Sequence, residues 1–178
     1  MSVTPRDPLL AIARLVIVIA QAFIGIAGVA LVIGMPILFF GQDKITVEAR
    51  SELANPDFIF PLAQVLGLMA VTLTIIVCAF FFLRYMRRIV DTVGDGDPFV
   101  PENADRLTSM AWIMLAIQIL TIPLVWLVYS LQVAFEETDA SFEAGLDLSG
   151  IVLVITLFIL ARVFRKGTEM REDLEGMV

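Results

Sequence analysis

The sequence predicts an all-α integral membrane protein: a single four-helix bundle with both termini on the cytoplasmic side. Three observations carry that expectation. Hydrophobic residues make up 59% of the 178-residue chain and charged residues 17%, against about 45–50% and about 25% in a soluble domain. The apolar excess is gathered into four runs, 9–40, 58–83, 109–135 and 146–164, each at or near the roughly 20 residues a helix needs to cross a bilayer. Between the second and third runs lies the only long polar passage with several basic residues, RYMRRIVDTVGDGDPFVPENADR at 84–106. That passage sets which side of the membrane every other segment faces.

Taken in order, the chain begins with a short polar tail carrying Arg6 and Asp7. Pro8 suits a helix start, where its missing N–H would be unpaired anyway. The first run is far longer than the 7–15 residues of a secretory h-region and reads as a retained helix. Arg14 reaches back toward the headgroups, and Pro36 is a kink site. Ala13, Ala20, Ala27 and Gly34 recur every seven residues, a small-residue seam along which a second helix backbone can approach closely. Packing within the chain is the reading preferred for that seam, with a homo-oligomer contact as the alternative.

A first outer loop is expected at 41–57, holding Lys44 and Arg50 among four acids and closing with the turn cluster Asn55-Pro56-Asp57. The second span follows, with phenylalanines near both ends. Beyond it Arg84, Arg87, Arg88 and Asp91 stand at i, i+3, i+4, i+7, one face of a helix that continues past the bilayer. Gly94-Asp95-Gly96-Asp97-Pro98 must break that helix, and Pro101 can open the third, with Glu102 and Asp105 favoured at its positive end. Trp112 near the start of the third span and Trp126 and Tyr129 near its end form an interfacial belt; Pro123 is a second kink site. The outer loop at 136–147 has five acids and no base. The fourth span, about 146–166, ends on Arg162, Arg165 and Lys166, and an amphipathic tail occupies 167–178, where Arg171 and Glu175 are spaced to pair.

Charge fixes the orientation. With both termini and the 84–108 loop on one side, that side holds ten of the twelve Lys and Arg residues, so it is the cytoplasmic one. The inner face is then near neutral and the net −7 falls outside. No basic footprint for direct nucleic-acid binding exists on either side.

Chemistry finds little purchase. The chain has no histidine, which removes histidine-ligated haem, the usual zinc sites and histidine acid–base catalysis. Cys78 is the only cysteine and reads as a small buried hydrophobe. Asp95 and Asp97 could hold Mg²⁺ only in a deep site with further ligands, and a solvated turn is the plainer reading; Glu136 and Glu137 are a second carboxylate pair. Gly94-x-Gly96 lacks the lysine or third glycine of a phosphate loop. No serine lies in G-x-S-x-G, and no acid stands at mid-span, where an ion-coupled transporter would need one. Gln21, Gln64, Gln118 and Thr156 are the intramembrane polar residues to watch, read as hydrogen-bonding glue between helices, with a small hydrophobic-ligand pocket at Gln21 and Gln118 as the alternative. The expectation is no catalytic centre, no metal and no cofactor.

The loop GDGDPFVPENADRL followed by Trp112, and the ending ARVFRKGTEMREDLEGMV, resemble a bacterial family of four-span membrane proteins of unknown function. Members of that family are commonly encoded beside a very small Xre-type helix-turn-helix regulator. The resemblance implies a bacterial inner-membrane partner for a DNA-binding protein. It directs attention to Asp97, Pro98, Phe99, Glu102, Asn103 and Arg106 in the loop and to Phe164, Gly167, Arg171, Glu172 and Asp173 in the tail. The residues add an apolar stripe of Phe164, Gly167, Met170, Leu174 and Met177 along the tail, able either to pack on the loop or to receive a partner helix. Arg84, Arg87 and Arg88 contact either headgroups or a partner, and Phe99 is either an exposed anchor or tucked under the tail. The expected function is a non-enzymatic membrane sensor or tether that docks a small transcription regulator through loop and tail. The alternatives are a small oligomeric transporter, channel or lipid-binding protein, and an accessory subunit of a larger membrane complex.

Overall fold

The computed structural model describes residues 8–52, 56–135 and 148–175. Four α-helices occupy nearly all of them: α1, Pro8–Glu52; α2, Leu62–Gly94; α3, Pro101–Ala134; and α4, Leu148–Glu175. No strand occurs among the described residues. All four helices are long and apolar enough to cross a membrane. Arg6, Asp7, Asn55, the 136–147 loop with Glu136 and Glu137, the side chain of Glu175, and Met177 lie outside the described residues.

One boundary differs from the sequence expectation. The charged stretch that reads as a loop from residue 41 is helical as far as Glu52, because neither glycine nor proline interrupts it after Gly41. Within the 84–108 segment only the six residues between Gly94 and Pro101 lie outside helices; α2 continues beyond its apolar run and Pro101 opens α3, both as the sequence leads one to expect. Pro36 and Pro123 both sit inside their helices.

The chain divides into two compact units. One comprises Ile26–Val77 and Ile119–Gly145. Here the α1 seam meets α2 within the same chain: a Cβ added to Gly28 would lie 3.3 Å from Ile76, and one added to Gly34 would lie 3.3 Å from Met69. Ala27 of the predicted seam is exposed and Gly28 takes the inward place, since a 3.6-residue helix drifts off a strict seven-residue repeat. Arg50 Nε donates to the Phe58 carbonyl at 2.8 Å, and buried Phe58 packs on Phe135 with ring centroids 5.5 Å apart.

The other unit comprises Met1–Gly25, Cys78–Gln118 and Leu146–Val178. Its core is Leu107, Met110 and Ala111 of α3 against Leu157 and Ala161 of α4, with Phe82, Tyr85, Met86 and Ile89 of α2 packed around them. A Cβ on Gly150 would collide with the Gln118 side chain, so the glycine makes room for that amide. Large side chains such as Leu9, Ile12, Leu15 and Phe23 face outward along α1. An apolar surface of that extent suits lipid rather than water.

The intramembrane polar residues behave in two ways. Gln21, Gln64 and Gln118 are half-buried. Thr156 points outward and donates to the Val152 carbonyl of its own helix at 2.8 Å, and Thr74 does the same to Ala70 at 2.8 Å. For Thr156 the expectation of bonds between helices is corrected: a hydroxyl on an exposed helix face reaches the i−4 carbonyl first.

Candidate functional site: a latched cap at the α2–α3 turn

The turn between α2 and α3 is built by a glycine in the left-handed region. Asp97 N–H donates to the Thr92 carbonyl and Gly96 N–H to the Val93 carbonyl, both at 3.1 Å. Gly96 has φ +85°. This is a Schellman ending, in which the left-handed residue is glycine because a Cβ is strained there. The expected break at Gly94–Pro98 is thus a defined helix cap.

Asn103, three residues into α3, is fully buried and holds the turn together. Its amide nitrogen donates to Thr92 Oγ1 at 2.8 Å and to the Pro98 carbonyl at 2.9 Å. Its Oδ1 accepts from Arg106 Nη1 at 2.7 Å, and the same guanidinium nitrogen lies 3.4 Å from the Arg88 carbonyl. Thr92 passes its own proton to the Ile89 carbonyl at 2.9 Å. One side chain therefore ties the end of α2, the turn and the start of α3. Among the described residues no buried side-chain polar atom is left without a partner, as a buried polar network requires.

The tail of α4 closes over this turn. Phe99 packs on Phe164 with ring centroids 5.4 Å apart and crosses α4 at Gly167, where a Cβ would lie 2.7 Å from the ring. Thr168 is buried; its hydroxyl donates to the Phe164 carbonyl at 3.0 Å and stands 3.4 Å from the Phe99 carbonyl. Arg171 pairs with Asp97. Arg165 reaches Asp105 of α3 at 3.2 Å, and Arg14 of α1 reaches Asp91 of α2 at 3.4 Å.

Of the residues singled out in the sequence, Asp97, Phe99, Asn103, Arg106, Phe164 and Arg171 come together in this cap. Glu102 and Asp173 are exposed, as are Arg84 and Arg88, while Arg87 is half-buried. The predicted tail stripe divides: Phe164 and Gly167 face the turn, whereas Met170 and Leu174 remain 56% and 62% exposed. Phe99 takes the tucked position yet stays 42% exposed. Thr92 and Thr168 carry bonds in the cap without having stood out in the sequence, since an isolated threonine among charged neighbours gives no signal of burial.

This architecture, four long apolar helices of which α2 and α3 are joined by a latched turn, coincides with a family match over residues 43–178. The chain belongs to the DUF2975 family of proteins of unknown function. The DUF2975 match contains all of α2, α3 and α4, and hence the Asn103 network and the α4 latch, while Arg14 precedes it. No curated protein and no solved structure matches the chain.

Proposed function

We propose that this DUF2975 chain is a non-enzymatic sensor or tether of the bacterial inner membrane that holds a small cytoplasmic transcription regulator at its cap. The orientation in this reading comes from arginine placement, which puts the cap in the cytoplasm. One observation supports docking most directly. Met170 and Leu174 lie one helical turn apart on the tail and stay exposed, next to the stretch that latches onto Phe99. An apolar pair at i, i+4 on a solvated helix is the anchor pattern of helix-in-groove recognition.

The latch supplies a means of control. Its outermost tie, Arg171 to Asp97, joins partly exposed side chains (47% and 40%), and such a pair contributes only about 0–1 kcal/mol. A shift in the spans caused by lipid, ligand or outer-loop binding would then change how the tail is presented. Regulation follows if latched and released forms bind the regulator with different affinity. A small helix-turn-helix protein is the partner implied by the family resemblance of the loop and tail sequences.

Co-purification from gently solubilised native membranes tests this reading. The intact chain is expected to retain a small helix-turn-helix protein, and Met170→Glu with Leu174→Glu to lose it while still inserting in the membrane. Truncation of 167–178 should have the same effect. Absence of any such regulator from the intact preparation would overturn the proposal.

A further inference from the structure

Beside the cap, on the outward side of α3 and α4, runs a groove of ≈ 870 Å³. Its lining is apolar at Phe158, Ala161 and Val163 and carries three cations, Arg162, Arg165 and Lys166, with one carboxylate, Glu169. These cations stand at i, i+3 and i+4, one face of the helix. Below Arg162, α4 has no charged residue back to Leu148, so the guanidinium marks the depth at which the span leaves hydrocarbon. Trp112 of α3, 59% exposed, sits edge-on to Phe158 with ring centroids 5.5 Å apart, and tryptophan prefers that same interfacial depth.

We infer that this groove is a binding site for a phospholipid with an anionic headgroup, its phosphate against Arg162 and Lys166 and an acyl chain along Phe158 and Trp112. Charge complementarity is the argument. Arg165 is matched by Asp105 at 3.2 Å and Lys166 by Glu169 at 3.0 Å, but Arg162 makes no ion pair among the described residues. The site therefore keeps an excess positive charge above an apolar trough. The two pairs are exposed and exchange readily for a phosphate. Thr108, also in the lining, spends its hydroxyl proton on the Ala104 carbonyl at 2.9 Å, so the cations alone would hold the headgroup. The volume falls within the range of small-molecule sites. This inference does not depend on regulator docking or on which side of the membrane the cap faces.

Trp112 is a built-in reporter, because Trp126 is the only other tryptophan. The Trp126→Phe protein is reconstituted in phosphatidylcholine vesicles that contain a small fraction of brominated phosphatidylglycerol or, in parallel, brominated phosphatidylcholine. Brominated phosphatidylglycerol is expected to quench Trp112 more strongly at equal fraction. Arg162→Gln with Lys166→Gln should lower that preference by about fivefold or more, since each cation near an anionic headgroup contributes roughly that factor. Should the double variant fail to insert, Arg162→Gln alone carries the test, its side chain being exposed and without an ion pair. Equal quenching by the two lipids, or a preference that survives both substitutions, would overturn the site. So would loss of the preference on adding excess soluble glycerol phosphate, which would assign the groove to a free phosphate.

Discussion

Phe99 rests its ring on the bare backbone of Gly167: a Cβ at that glycine would stand 2.7 Å from Cδ1 and 2.8 Å from Cε1 of the phenylalanine. The ring also packs on Phe164, so turning away from Gly167 would give up that contact. The α4 tail and the α2–α3 turn fit together at this point because glycine leaves room for an aromatic face.

Gly167→Ala is therefore expected to destabilise the cap by about 1–3 kcal/mol, the usual cost of overpacking a fitted contact. The same change in a Phe99→Ala background should cost far less, because the clashing ring is gone. Reversible unfolding in mixed detergent micelles, run as a double-mutant cycle, reads the difference; residues in direct contact couple by about 0.5–3 kcal/mol. Additive effects would mean that the two side chains do not meet.

The spans were legible in the sequence because an uninterrupted apolar run of bilayer length exceeds what the core of a soluble domain needs to bury. The reach of α1 to Glu52 was not. Asp43, Lys44, Glu48 and Arg50 look like a solvated loop, and a helix surrounded by water needs no apolar periodicity to betray it. The cap was half legible. Phe99, Asn103 and Arg171 attract attention as residues, but their arrangement depends on three helices meeting. Asn103 in the first turn of α3 reads as an ordinary polar start; only the approach of Thr92 and Pro98 makes it the buried centre. The division of the tail stripe turned on helical phase, which the α4 packing decides: Ala161, Phe164, Thr168 and Arg171 face inward or toward the turn, leaving Met170 and Leu174 outside.

Gly96 should be sensitive for a different reason. Nothing lies within 4 Å of where its Cβ would be, and its φ is +85°. Any cost of Gly96→Ala is thus backbone strain alone, about 1–2 kcal/mol for an L-residue in the left-handed region. Gly96→Asn should cost less, since asparagine tolerates that region. Comparing unfolding midpoints of the two variants separates strain from crowding; equal losses would argue against a left-handed turn.

Asn103→Leu is expected to be among the most damaging single changes. It removes the donor to Thr92 Oγ1 and to the Pro98 carbonyl and leaves the Arg106 guanidinium only its 3.4 Å contact with the Arg88 carbonyl; losing hydrogen bonds of this kind costs about 1 kcal/mol each, and more where a partner is left shielded from water. Hydrogen exchange should show the loss first at residues 95–100, with the Ile26–Val77 segment little changed. Uniform loosening along the whole chain would contradict a local role.

Thr74→Val and Thr156→Val should be nearly silent, within about 0.5 kcal/mol. Both hydroxyls are exposed and return their protons to their own helices, so removing them breaks no bond between helices. Thermal denaturation in detergent is sufficient to check this. A loss beyond about 1 kcal/mol in Thr156→Val would restore the reading of that residue as glue between spans.

The Arg171–Asp97 pair gives the last prediction. Both side chains are partly exposed and lie at the far end of the latch, where Coulomb attraction is weak and salt-screened. Arg171→Asp should cost no more than about 1 kcal/mol of global stability, yet it puts two carboxylates together at the latch. The turn should then become more accessible, read as faster labelling of a cysteine introduced at Val100 in the Cys78→Ala background. Adding Asp97→Arg restores opposite charges in reversed order and should slow labelling toward the parent rate. If the reversed pair labels as fast as the single variant, attraction between residues 97 and 171 is not what keeps the tail on the turn, and closure rests on Phe99, Gly167 and Thr168 alone.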